Sequence, residues 1–140
     1  MKIALKLIAQ KIDEAMCEWE TYYNPKTGKM VELPDDENFF IDDDMVRLAE
    51  EIENNGDFLR LPNQYEVKEY RIMRDFALGL HDEKLKIELL DALTRKHPYR
   101  RFKDVVKYYE VAEAYYDYKF NRCYELAKAW CIEHSVDFFE

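Results

Sequence analysis

The sequence predicts an α+β protein in which a small antiparallel sheet of about three strands, one β-hairpin among them, packs against five to six helices. Apolar residues recur at steps of three and four over most of the chain, which is the period of an amphipathic helix. One stretch, residues 19–33, instead places β-forming residues on both sides of a turn that contains Pro and Gly, which is typical of a hairpin. A chain of 140 residues, 48% of them hydrophobic, is long enough to bury one core.

We predict a single domain over residues 1–140, with an N-terminal helix and hairpin in 1–62 and a helical part in 63–140. The first helix is expected over residues 4–17, because the apolar side chains there form a single stripe. After this stripe the period changes, and the sheet is expected to begin.

The sheet is predicted from turn chemistry. In "YYNPKTGKM" Pro25 presets the φ of a turn and Gly28 can adopt the left-handed conformation, so the chain is expected to reverse into a hairpin. The acids at 42–44 suit the positive end of a second helix over 44–54. The apolar segment 58–61 is the expected third strand.

The helical part is divided by capping signals. Asn63 stands three residues before Glu66, as in a variant of the capping box. The helices are expected over 64–78, after the cap Asp82, with Pro98 in a first turn, and over 111–134.

The charges form two poles. The chain has a net charge of −9, and residues 35–57 alone hold ten carboxylates and one arginine. Residues 95–107 hold six basic side chains and one acid. Arg100 and Arg101 fall at the start of a helix, where cations oppose the macrodipole, so we expect them to have an anionic partner.

Two interpretations of the basic segment stay open. In the first, Arg100 and Arg101 pair with carboxylates of the same chain, either Asp104 or the acidic segment; we favour it because exposed patches usually settle against the opposite pole. In the second, the segment binds a nucleic acid, a phosphorylated ligand or an acidic protein surface. The predicted binding residues are His97, Tyr99, Arg100, Arg101, Lys103 and Lys107. The predicted acidic counter-surface is Asp42, Asp43, Asp44 and Glu50.

No catalytic residue, metal or other cofactor is predicted. Ser135 is the only serine and has no nucleophile elbow, and the three glycines are too far apart for a phosphate loop. Cys123 and His134 point the same way on the last helix, but zinc needs four ligands. The acidic run "DDENFFIDDD" lacks the spacing of a calcium loop, although its two Phe residues would suit a docking strip for a basic partner.

The location is predicted to be cytoplasmic. Charged residues such as Lys6 and Lys11 interrupt the N-terminal apolar stretch, which argues against a signal peptide. No run of about 18 apolar residues predicts a membrane span. The three cysteines are an odd number, which does not suit a disulfide framework.

Three segments resemble a known family: "EYRIMRDF" (69–76), "RRFKDVV" (100–106) and "YYDYKFNRCYELAKAWCIEHSV" (115–136). With the hairpin "YYNPKTGKMVEL" they are similar to the motifs of the bacterial uncharacterised protein family 0158. Tyr115 stands where the family has Trp, and His134-Ser135 where it has Asn-Gly. The family has no established activity, so the resemblance implies an intracellular single-domain protein and no catalytic residue.

The predicted function is a non-enzymatic cytosolic binding or regulatory module that acts through protein–protein contacts. The first alternative is binding of a nucleic acid or phosphorylated ligand through 95–107. A weaker alternative is a small hydrolase or transferase that uses His97 and an acid. Self-association stays open, and the sequence does not fix the partner or the physiological process.

Overall fold

The computed structural model describes residues 2–140 and confirms the α+β class. In this range the chain forms six helices of nine or more residues, one three-stranded antiparallel sheet and one two-stranded parallel sheet. The elements in chain order are β1 (Ile3–Ala4), α1 (Leu5–Asp13), β2 (Trp19–Tyr23), β3 (Met30–Pro34), a 3-10 turn (Glu37–Phe39), α2 (Asp43–Asn54), β4 (Leu59–Arg60), α3 (Gln64–Val67), α4 (Glu69–Leu78), α5 (Glu83–Leu93), α6 (Pro98–Tyr108), α7 (Ala112–Glu133) and β5 (Phe138–Phe139). None of the helices in this range is long and apolar enough to cross a bilayer.

The chain divides into two compact units. Unit 1 comprises residues 2–67 of the described chain together with Cys123–Glu140, and unit 2 is Lys68–Arg122. The prediction of a single domain over 1–140 stays a prediction.

The sheet of unit 1 is built on the predicted hairpin. β2 and β3 pair antiparallel with Trp19 opposite Pro34 and Tyr23 opposite Met30, and β4 pairs with the other edge of β2. Gly28 adopts φ 79°, and its N–H donates to the Asn24 carbonyl at 2.8 Å. The left-handed glycine therefore closes the turn, as the sequence predicts.

The first helix is shorter than predicted. α1 ends at Asp13, although the apolar pattern suggested 4–17. Leu5, Ile8, Ala9 and Ile12 are buried, but the next apolar position, Met16, is 54% exposed. Past Asp13 the chain has no core to face, and Glu18 at φ 67° redirects it into β2.

Unit 1 also contains a strand pair that the sequence does not predict. β1 and β5 pair in parallel, with Ile3 opposite Phe138 and Ala4 opposite Phe139. Each strand has two residues, which is too short for any periodic signal. Nearby in the sequence, the buried indole of Trp130 donates to the Arg60 carbonyl at 3.0 Å, which ties α7 to β4.

The single helix predicted over 64–78 is two helices. The capping box forms as predicted: Glu66 N–H donates to the Asn63 side chain at 3.1 Å, and Asn63 N–H donates to the Glu66 carboxylate at 3.2 Å. The helix then breaks at Lys68, whose φ is 56°. The break falls where the chain passes from unit 1 into unit 2.

Unit 2 packs α4 against α5 and α5 against α6. The predicted cap Asp82 accepts from Leu85 N–H at 3.2 Å, and Pro98 is the first residue of α6. Proline suits this position because the first helical N–H has no partner within the helix. The buried side chains of the unit come from all four helices and are Ile72, Met73, Phe76, Ala77, Leu85, Leu89, Ala92, Leu93, Phe102, Val106 and Tyr115.

Gly28→Ala is expected to lower the free energy of unfolding by about 1–2 kcal/mol, because a Cβ is strained at positive φ. Urea denaturation of the variant measures this change. Gly56→Ala is the matched control: nothing lies within 4 Å of an added Cβ there, and its stability should change little. Equal losses at the two positions would contradict a special role for the Gly28 conformation.

Candidate functional site

Helix α6 carries the predicted basic segment and turns its cations to different sides. Arg100, Lys103 and Lys107 follow one another at steps of three and four, so they share one face; we call these three residues the basic stripe. Phe102 and Val106 lie on another face and are fully buried. The burial of Phe102 and Val106 thus determines which side of α6 faces away from the core.

Lys103 at the centre of the stripe points to Glu69, the first residue of α4. Its Nζ lies 3.5 Å from Glu69 Oε1, Lys119 Nζ lies 3.5 Å from Glu69 Oε2, and the Tyr115 hydroxyl donates to Oε2 at 3.0 Å. The Glu69 side chain is only 15% exposed. We call these four residues the Glu69 cluster, which joins α4, α6 and α7 within unit 2.

An aromatic group packs beside the Glu69 cluster. Phe102 and Tyr115 are 5.0 Å apart between ring centroids, and Phe76 lies 5.4 Å from Tyr115 and 5.5 Å from Tyr118, all in edge-on geometry. Such pairs add to burial because the positive ring edge meets the negative ring face. The three sequence segments that resemble the family motifs therefore meet at one place in unit 2.

A second ion pair joins α4 and α7. Arg122 Nη1 donates to Asp75 Oδ2 at 3.0 Å and to the Tyr118 hydroxyl at 3.3 Å. The hydrogen bond to Asp75 holds the pKa of Arg122 above its usual value. Asp75, the acid of "RIMRDF", is therefore a structural partner of α7.

The other predicted binding residues are exposed. Within residues 68–122, Arg100 and Lys107 have no ion pair, so the pair of Arg100 with Asp104 suggested by the sequence does not form there. Tyr99 is 46% exposed beside Arg100. His97 adopts φ 53° just before α6, and in the same unit its side chain has no hydrogen bond to a carboxylate.

Arg101 faces a groove of about 360 Å³ between α5 and α6. Its Nε donates to the Lys96 carbonyl at 2.7 Å. The groove also contains Arg95, which pairs with Asp91 at 2.8 Å. Its remaining charged residues are Glu88 and Asp104. Arg101 therefore lies near carboxylates of its own unit, but within residues 68–122 it has no ion pair with them, so the pairing that the sequence suggested for this cation does not form there.

The predicted acidic counter-surface lies at the start of α2. Asp42 accepts from Met45 N–H at 2.9 Å and is the helix cap, and Asp44 pairs with Arg47. Asp43 and Glu50 are exposed. These acids belong to unit 1 and the basic stripe to unit 2, and docking of one on the other stays a prediction.

No group of three or more metal-binding side chains is found among residues 2–140. Cys123 and Cys131 are buried, and burial raises the pKa of the Cys131 thiol. His134 packs its ring 5.1 Å from that of Trp130. The two buried thiols thus belong to the core of unit 1, and the exposed His134 follows the end of α7.

Sequence reasoning missed Glu69 and Lys119. Glu69 is 34 residues from Lys103, so no local spacing links them, although Tyr115 and Lys119 share a helix face at a step of four. That step is the only signal in the sequence for the Glu69 cluster.

The family model of the Uncharacterised protein family (UPF0158) matches residues 2–140. The chain belongs to this family. Searches of the curated proteins and of the solved structures found no match.

Glu69→Gln is expected to lower the free energy of unfolding by about 2 kcal/mol, because two lysines lose their shared, mostly buried carboxylate. Urea denaturation gives the value. Glu83→Gln is the control, since the Glu83 side chain is 75% exposed and its contact with Lys86 is 3.9 Å; a change below about 0.5 kcal/mol is expected. A Glu69 variant as stable as this control would show that the cluster does not hold unit 2 together.

The Glu88 carboxylate raises the pKa of Tyr109 to about 12 from an ordinary value of 10.0. Because the folded state binds the phenol proton more tightly, this contribution to stability is intact below pH 10 and is lost as the pH rises towards 12. The alkaline loss of stability should be smaller in Glu88→Gln. Tyrosinate absorbance, with Tyr109→Phe as the reference, follows the ionisation directly; an unchanged Tyr109 titration in Glu88→Gln would contradict the assignment.

Proposed function

For this member of UPF0158 we propose a non-enzymatic binding module that acts through protein contacts and binds an acidic surface of its partner with the exposed side of α6. The contact residues are Arg100 and Lys107 of the basic stripe, with Tyr99 beside them. Arginine and tyrosine are enriched at the energetic centres of protein interfaces.

The observation that carries the proposal is the unequal pairing along the stripe. Lys103 is engaged by Glu69, whereas Arg100 and Lys107 on either side have no ion pair within residues 68–122. An arginine can bind a carboxylate through two parallel hydrogen bonds, and its hydration is weak enough to be displaced. The engaged lysine fixes the rotation of the stripe, which leaves its two neighbours available to a partner.

The net charge of −9 opposes an acidic partner only weakly at this contact. At physiological ionic strength charges are screened over about 8 Å, so the stripe acts on a docked surface more strongly than remote carboxylates do. A cytoplasmic location is part of the proposal, and the three free thiols, Cys17, Cys123 and Cys131, support it because such thiols persist in a reducing compartment.

Binding of a nucleic acid or phosphorylated ligand is the second candidate. The exposed ring of Tyr99 next to Arg100 favours it, since bases stack on aromatic rings beside cations. Affinity for a nucleic acid grows with the number of phosphates neutralised, however, and two of the six basic residues of 95–107, Arg95 and Lys103, are already paired with carboxylates. This comparison favours an acidic protein surface.

The double variant Arg100→Ala/Lys107→Ala tests the proposal. We expect the unmodified protein to bind a polyglutamate peptide that contains tyrosine, and the double variant to bind it about tenfold more weakly, since two charge contacts are lost. Fluorescence anisotropy of the labelled peptide gives both dissociation constants.

Arg71→Ala/Lys84→Ala is the matched control. It makes the same change of charge at two exposed positions of unit 2 away from the stripe. Equal weakening in the two double variants, or no binding of the peptide at low salt, would overturn the proposal. Tighter binding of a mixed oligonucleotide, with loss in the stripe variant alone, would establish the second candidate instead.

A further inference from the structure

Unit 1 has an open groove of about 850 Å³ between the sheet and α2. Its floor is apolar and includes Leu33 of β3, Ile52 of α2 and Phe40, which precedes α2. The phenol of Tyr22 lines the same groove, where burial and then the charge of Glu20 raise its pKa. The groove is large enough for several side chains of a bound peptide.

Helix α2 turns an apolar face to this groove without covering it. The helix is strongly amphipathic, yet none of its residues is buried. Ala49 and Ile52, which line the groove, are only partly buried, and Val46, three residues before Ala49, is 42% exposed. An apolar face that its own unit leaves uncovered is typical of an interaction surface.

The rim of the groove is acidic and largely uncompensated. Within the described part of unit 1, Asp35, Asp36, Glu37 and Glu53 have no ion pair, although all four line the groove. Acids of the same segment outside the groove do find cations. These pairs are Lys29 with Glu51, Lys26 with Asp57 and Arg47 with Asp44. Of the five carboxylates that line the groove, only Glu20 has a cation partner in this part of the chain, Arg60 at 3.4 Å.

We propose that this groove binds a basic amphipathic segment of a partner protein. Apolar side chains of the segment cover the floor at Leu33, Phe40 and Ile52, and its lysines or arginines reach the carboxylates of the rim. The occupant follows from charge complementarity, because an acidic segment would bring like charges together over the same floor. This surface goes beyond the proposed function, since it lies in unit 1 and selects the opposite charge.

A labelled amphipathic helical peptide of Leu and Lys, compared with its Leu and Glu counterpart, tests the groove. We expect the Leu and Lys peptide to bind the full chain and the triple variant Asp36→Asn/Glu37→Gln/Glu53→Gln to bind it about tenfold more weakly, as three rim charges are lost. Affinity should fall with added salt. The Leu and Glu peptide should not bind.

Asp43→Asn/Glu50→Gln/Glu51→Gln is the matched control, because it removes three exposed carboxylates of α2 that do not line the groove. It should bind within about twofold of the unmodified protein, a difference of a few tenths of a kcal/mol. Equal losses in the two triple variants, or equal binding of the acidic peptide, would overturn the proposal. Sedimentation that shows a concentration-dependent dimer, lost in Phe40→Ala, would assign the groove to a second copy of the chain and would also overturn it.

Discussion

The arrangement of unit 2 depends on one carboxylate that is largely removed from water. The Glu69 side chain is 15% exposed, and desolvation makes an unpaired charge costly there. It therefore takes a hydrogen bond from Tyr115 and places Lys103 and Lys119 on its two oxygens. Because Lys103 lies on α6 whereas Tyr115 and Lys119 lie on α7, this one requirement constrains the rotation of both helices about their axes.

The contact between Lys103 and Glu69 determines which side chains of α6 face the solvent. With Lys103 turned to Glu69 and Phe102 buried, Arg100 and Lys107 are left on the exposed side of the helix. The acidic groove of unit 1 arises from a similar division. There Lys26, Lys29 and Arg47 pair with carboxylates outside the groove, and four of the five carboxylates that line the groove have no ion pair within the described part of the unit. The charged residues of both proposed binding surfaces are thus residues that have no ion pair within the described part of their own unit.

The features that depend on neighbouring residues could be predicted from the sequence, whereas contacts between residues distant in the sequence could not. The hairpin with Gly28, the cap Asp82 and the proline that opens α6 were all readable, because each depends on residues a few positions apart. The break between α3 and α4 at Lys68 could not be predicted, because the apolar periodicity continues through it. The same limit applied to the predicted binding residues. Their exposure could be predicted from the helix pattern, but their neighbour Glu69 could not, because it lies 34 positions before Lys103 and no local spacing links the two.

The pairing of β1 with β5 has a consequence for the order in which parts of the protein fold. Unit 2 is an uninterrupted stretch in which α4 packs on α5 and α5 on α6, so these contacts have short sequence separation and are expected to form quickly. Unit 1 must bring Ile3 next to Phe138. The hairpin joins residues that are close in the sequence, whereas this strand pair joins residues far apart, so we expect the strand pair to form after the hairpin.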